Sequence, residues 1–243
     1  MNETMIYGVH PVLEALNSGK EVDRIFIVRG RSENIDPIIE IAKSNGVTLK
    51  IVPVEKMNRL TKKKHQGVIA FLSPIVFSSL ENIIDSTYSS GETHLILILD
   101  RITDVRNIGA IARSAEGSGV QAIVIPKNNS APINGDAVKS SAGALMRVPI
   151  CKEKNLSHTL SYLEESGLQI IGCSEKADSY ISDINFSIPS AIVLGSEEDG
   201  ISSSVWKGCN IHAKIPMVGD LASLNVSVAA GIILYESVRQ KNQ

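Results

Sequence analysis

Cysteine is scarce and unpaired in this chain of 243 residues. Cys151, Cys173 and Cys209 stand far apart, form no C-x-x-C pair and have no histidine at ligand spacing. That excludes a sequence-encoded metal cluster and reads instead as three buried small hydrophobes. Long apolar runs are missing too: no window approaches the roughly eighteen uninterrupted apolar residues of a membrane span. The opening MNETMIYGVH has neither the basic start nor the apolar core of a signal peptide, so a cytoplasmic location is expected. With 43% hydrophobic and 21% charged residues and a net charge of −2, the composition is that of a soluble globular protein with one large domain or two modest ones.

Three nucleotide and hydrolase signatures are also absent. Gly117-x-Gly119 lacks a third glycine at the required spacing and closes a predicted helix instead of opening one, so the dinucleotide fingerprint fails. There is no G-x-x-x-x-G-K-[ST] loop and no G-x-S-x-G elbow, which argues against nucleotide hydrolysis and serine hydrolysis.

What is present falls into two parts. Residues 1–73 carry 11 Lys and Arg against 8 Asp and Glu, a net of +3, which leaves −5 for residues 74–243. The basic end is the better candidate for meeting a polyanion. It alternates predicted helices (after Pro11; Ile35 to Ala42) with predicted strands (Ile25 to Val28, Thr48 to Val52, Val68 to Leu72), a small α/β unit. Within it, Lys62, Lys63, Lys64, His65 and Gln66 suit phosphate contact with some side-chain reading of RNA. The same run also reads as a solvated charged turn. Residues 74–93 are Ser-rich, with one short helix suggested by Leu80, Ile83 and Ile84, and are taken as a linker.

From His94 onward, apolar runs alternate with helical stripes. Strands are predicted at His94 to Leu99, Ala122 to Ile125, Leu168 to Cys173, Ala191 to Leu194 and Ile211 to Ile215, and helices at Asn107 to Ser118, Ala137 to Met146 and Leu156 to Leu163. Runs apolar on both faces call for a parallel sheet covered by helices. The last helix has no charged residue between Asn225 and Tyr235, so it is expected to be buried or packed on a partner.

Three segments following strands are richer in polar and glycine residues than packing needs, and ligands in open α/β sheets bind at carboxyl ends of strands. The first holds Asn107, placed as a helix N-cap, and Arg113, which reads either as a surface salt bridge to Glu116 or as a holder of a phosphate or developing oxyanion. The second, Gly195-Ser196-Glu197-Glu198-Asp199-Gly200, crowds three carboxylates that repel unless cations or donors answer them. The third runs from Ile215 through Pro216 and Gly219 into the charge-free helix, with Ser223 or Asn225 as its cap.

Together NIGAIARSAEGSG at 107–119, VLGSEEDGIS at 193–202 and IPMVGDLASLNVSVAAGIILYE at 215–236 resemble the signature motifs of the SpoU (TrmH-like) branch of the SPOUT methyltransferases. YGVHPVLEAL at 7–16 and HQGVIA at 65–70 resemble the substrate-binding domain of the 23S rRNA guanosine 2′-O-methyltransferase (RlmB) group. The resemblance implies a small α/β RNA-binding domain at 1–73 and an α/β parallel-sheet methyltransferase domain at 94–243, its C-terminal segment threaded into a trefoil knot. It further implies S-adenosylmethionine as cofactor and a homodimer formed through the knot helices.

Carried onto this sequence, Gly195, Ile215, Met217 and Leu224 would contact the cofactor, and Asn107, Arg113, Glu197, Ser223 and Asn225 would occupy the polar active-site positions. Ser196 and Glu198 depart from the family's usual residues. The implied reaction is methyl transfer to a ribose 2′-hydroxyl, on ribosomal or transfer RNA, with no metal required. A catalytically silent RNA-binding protein on the same fold is the alternative from another class.

Overall fold

The structure, a computed structural model, describes residues 4–30, 33–221 and 223–241. The chain forms two units: residues up to Val76 together with Ile133–Gly135, and Phe77–Pro132 with the chain from Asp136 onward.

In the first unit, strands β1 (Met5–Tyr7), β2 (Val22–Val28), β3 (Thr48–Val52) and β4 (Val68–Leu72) make a mixed sheet in the order β1-β4-β2-β3. Only β2 and β3 run parallel. Helices α1 (Val9–Asn17), α2 (Asp36–Ser44) and α3 (Val54–Leu60) cover it. Strand side chains alternate between faces, and the core divides accordingly. Ile25, Ile27, Val68 and Ala70 pack with Val12 and Leu16 of α1 and Ile38 and Ala42 of α2. Phe26, Ile69 and Phe71 point the other way and pack with Met57 of α3. Strand β1 has only three half-buried residues, too few to show a period, and periodicity misses it.

The second unit contains α4 (Leu80–Ser90), β5 (Leu95–Leu99), α5 (Val105–Gly117), β6 (Ala122–Pro126), α6 (Gly135–Ser140), β7 (Ile150–Glu153), α7 (Leu156–Glu165), β8 (Gln169–Cys173), β9 (Ser179–Tyr180), β10 (Ser190–Leu194), α8 (Ser203–Lys207), β11 (Ile211–Lys214) and α9 (Val226–Lys241). Its seven strands are all parallel, in the order β7-β6-β5-β10-β8-β11-β9. Every residue of β5 and β10 is buried, as a sheet covered on both faces requires. Strand β5 is followed outward by β6 and β7 on one side, while β10 enters on the other. Ligands collect where strand order reverses in this way, and here that point is the carboxyl ends of β5 and β10.

Strands β7 and β9 are not expected from the sequence either, and the structure differs from the sequence reading in further details. The Ser-rich stretch taken as a linker does hold the short helix expected there, α4, but its Leu80 and Ile84 pack with Ile96, Ile98, Leu160 and Leu163 in the core of the second unit. Its serines are helix-forming there: the Ser79 hydroxyl accepts from the Asn82 N–H at 3.3 Å. The helix expected from Ala137 to Met146 breaks after Ser140, because Ala142 and Gly143 adopt left-handed φ of 50° and 84° before a single 3-10 turn. Helix α5 starts two residues earlier than expected, with Asp104 as its cap.

Cys151 and Cys209 are buried, and burial pushes both thiols up to about 12. Cys173 is half-buried, and burial pushes its thiol up to about 12 as well. Among the described residues no helix is long and apolar enough to cross a membrane.

Candidate active site

The segment after β10 folds into a tight hairpin. Ser196 and Gly200 exchange both backbone hydrogen bonds, at 3.2 and 2.9 Å, and the Ser196 hydroxyl accepts from the Asp199 N–H at 3.2 Å. Gly200 turns the chain with φ +67°. Gly195 must be glycine: a Cβ there would come within 2.1 Å of the Gly200 carbonyl carbon. Two of the three crowded carboxylates are answered individually. Arg101 reaches Asp199 at 3.1 Å, and the Asn225 amide donates to Glu197 Oε1 at 2.5 Å.

Asn225 is the hub of the polar set. Its Nδ2 donates both to Glu197 and to Asn107 Oδ1, the latter at 3.1 Å. Its Oδ1 accepts from the Ser227 N–H at 3.0 Å and from the Ser227 hydroxyl. Two hydrogens given and two lone pairs filled fix which way the amide faces. The Oδ1 bond to the second residue of α9 makes Asn225 the helix cap, and Ser223 takes no part in it. Asn107 is not a cap. It lies in the first turn of α5, nearly buried, while the Asp104 side chain accepts from the Arg106 N–H at 2.7 Å. The Arg106 guanidinium hydrogen-bonds the Asp104 carboxylate and holds it below its ordinary range; Asp104 in turn raises Arg106, with a smaller contribution from the Glu197 charge.

Two cavities share the acidic hairpin as a wall. One, of about 160 Å³, is lined by Gly195, Ile215, Met217, Ser223 and Leu224, and by Glu197, so all four expected cofactor residues meet in it. Val226, Ala229 and Ile233 give it an apolar side. An apolar side, a bare glycine backbone and a carboxylate rim suit an adenosyl group carrying a sulfonium charge. The second, of about 390 Å³, is lined by Arg101, Thr103, Asp104, Asn107 and Asn129 beside the hairpin.

Arg113 stands apart from this set. It is exposed on α5, lines neither cavity, and makes no hydrogen bond or ion pair among the described residues. Glu116, its expected partner, instead pairs with Arg147 at 2.7 Å. In the first unit, Lys62, Lys63 and Lys64 are exposed, but His65 and Gln66 are engaged. His65 Nδ1 accepts from the Gly67 N–H at 3.1 Å, which leaves Nε2 to donate to Asn58 Oδ1 at 3.0 Å. Gln66 Oε1 accepts from the Val9 N–H at 3.1 Å, and a Cβ on Gly8 would stand 3.1 Å from that oxygen. The YGVH and HQG segments are thus halves of one clasp.

Sequence reasoning missed Arg101 and the loop Ser174-Glu175-Lys176, which also lines the smaller cavity. The loop follows β8, and the rule placing ligands beyond strand carboxyl ends pointed to it. Arg101 left no signal, since its hydrogen-bond partners lie almost a hundred residues away.

Comparison with known proteins agrees with this geometry. The SpoU rRNA Methylase family matches residues 94–235, and the RNA 2′-O ribose methyltransferase substrate binding family matches residues 5–76. The chain belongs to the SpoU (TrmH-like) methylase family and carries that family's N-terminal substrate-binding domain. A Staphylococcus haemolyticus protein assigned to the TrmH family of tRNA/rRNA methyltransferases is 36% identical over 100% of this chain and 98% of its own. Bacillus subtilis YacO, assigned likewise, is 32% identical over 98% and 96%. Among solved structures, the SpoU methyltransferase AviRb of Streptomyces viridochromogenes in complex with AdoMet superposes with a TM-score of 0.63 at 25% identity, covering 99% of this chain and 91% of that one.

Proposed function

We propose that this protein methylates a ribose 2′-hydroxyl of 23S ribosomal RNA, on a guanosine, working as a homodimer. The observation that carries the reading is the hydrogen-bonded Asn107–Asn225–Glu197 set, in which Glu197 lines both the smaller cavity and the second, polar cleft and Asn107 lines the cleft. When bound, S-adenosylmethionine supplies a methyl group already activated by its sulfonium. Gly195, Ile215, Met217 and Leu224 hold it, with Ser223 at the rim.

A neutral hydroxyl is a poor nucleophile, so the site must orient it and stabilise the negative charge that develops on its oxygen. Asn107 Oδ1 is occupied by Asn225, which leaves the Asn107 amide hydrogens to donate to the ribose. Glu197 keeps Asn225 in place. Arg113 lies six residues beyond Asn107, about 9 Å along the helix, and anchors the adjacent phosphate and adds positive charge near the hydroxyl. The guanidinium stays protonated, so the proton leaves to phosphate or water. In the first unit Lys62, Lys63 and Lys64 draw the RNA backbone, with His65 and Gln66 shaping the loop that presents them.

For the dimer, α9 buries one face through Val226, Ala230, Ile233 and Leu234 and leaves Val228, Ile232 and Tyr235 exposed at 50%, 36% and 67%. That stripe at i, i+4 and i+7 is the surface offered to a second copy. The entry of β10 between β5 and β8, and of β11 between β8 and β9, supports the threaded C-terminal segment.

The test is transfer of tritiated methyl from labelled cofactor to unmodified ribosomal RNA, followed by mass spectrometry to locate the nucleotide. A transfer-RNA substrate is the second reading, favoured by relatives assigned to tRNA/rRNA methyltransferases; label in tRNA alone would select it. Cofactor-independent RNA binding without label would return the chain to a silent binding protein.

A further inference from the structure

Arg101 lies just past β5 in a left-handed backbone conformation, φ +59°. That region is strained for a residue with a Cβ and free for glycine. Its side chain crosses to the hairpin after β10: Nη1 lies 3.1 Å from Asp199 Oδ2, Nη2 donates to the Gly200 carbonyl at 3.1 Å, and Nε is 3.5 Å from Asp100 Oδ1. Asp100 is buried and accepts from the Ser202 N–H at 2.6 Å. Two successive residues of one strand end therefore grip the segment following the neighbouring strand at three places.

That segment carries Gly195 and Glu197 into the cofactor pocket and forms the wall it shares with the cleft. Among the described residues no other hydrogen bond or ion pair ties the Asp199–Gly200 limb of the hairpin to the rest of the unit. We propose that Arg101 is a positioning residue: it sets the acidic hairpin so that Glu197 meets Asn225 and the Gly195 backbone faces the cofactor. The proposal rests on the methyltransferase reading. An arginine is suited to the task because its planar fork serves a carboxylate and a carbonyl at once, which a lysine does not.

The decisive variant is Arg101→Gly, since it removes the side chain while relieving the backbone. The intact protein and the variant are compared by thermal melting, calorimetric binding of S-adenosylmethionine, hydrogen exchange and single-turnover methyl transfer. The expected result is a melting temperature within a few degrees of the parent, cofactor affinity at least about tenfold weaker, faster amide exchange across residues 196–200 and a fall in kcat of at least about tenfold. Arg101→Lys should recover part of the cofactor affinity. Affinity and kcat within twofold of the parent overturn the proposal. So does a variant whose melting collapses in proportion to its losses, because Arg101 is then a structural residue. If the parent itself neither binds the cofactor nor methylates RNA, the functional reading fails, and the exchange and melting arms still report whether Arg101 fastens the hairpin.

Discussion

Asn225 donates to Asn107 at 3.1 Å although the two lie 118 positions apart, and the same nitrogen holds Glu197. A helix cap and the proposed catalytic amide are one side chain here. Asn225→Ala is expected to cost about 1 kcal/mol of stability, the usual scale for losing a cap, and to lower methyl transfer about a hundredfold. Asn225 and Asn107 share one hydrogen bond, so the double alanine variant should lose less than the product of the two single losses. Chemical denaturation and single-turnover rates measure both.

Arg113→Ala should reduce methyl transfer at least about a hundredfold, the scale of one transition-state contact, while cofactor binding persists. The exposed guanidinium makes no hydrogen bond or ion pair among the described residues, so the variant should melt with the parent. Near-normal turnover would remove Arg113 from the site.

Replacing Lys62, Lys63 and Lys64 together with alanine should weaken RNA binding and reduce the slope of log affinity against log salt by up to about two, given about 0.7 for each single-stranded phosphate contact. Unchanged RNA affinity across a salt titration would make the run a solvated turn.

Ile232→Asp places a charge in the exposed stripe of α9 without touching its buried face. Sedimentation should show a dimer converted to monomer, and calorimetry a weaker cofactor affinity, because α9 also supplies Ala229 and Ile233 to the pocket. A monomeric parent would dismiss the stripe as an interface.

The thiols give a pH prediction. All three fold with pKa values pushed up to about 12 from an ordinary 9.0, by burial first. The folded protein therefore keeps protons that the unfolded chain releases, and stability should decline as pH rises above about 9. At pH 8 a thiol reagent should label the native protein far more slowly than the denatured one.

Much of the architecture was legible because burial repeats along the chain. Strands such as Leu95–Leu99 and Ala122–Pro126, apolar throughout, announce a sheet covered on both faces. The Ala137–Met146 break was harder to see, since it depends on left-handed φ at Ala142, a residue whose chemistry gives no warning. The short helix at Leu80, Ile83 and Ile84 was legible, but its place in the core was masked by serines, which bond their own helix in place of water.

The sequence by itself determined the family, because its motifs are contiguous and their spacing survives as local structure, and it supplied the proposed cofactor and polar residue set. The tertiary structure alone decided which of those residues meet. Strand order brings the loops after β5, β8, β10 and β11 to one end of the sheet, and no one-dimensional pattern encodes that order. It assembles Asn107, Glu197 and Asn225 through one amide, sets Arg113 outside the cavities and recruits Arg101, while the first unit engages His65 and Gln66 in local hydrogen bonds. Contacts of this kind come from side chains long separated in the chain, so they carry no period and no motif, only geometry.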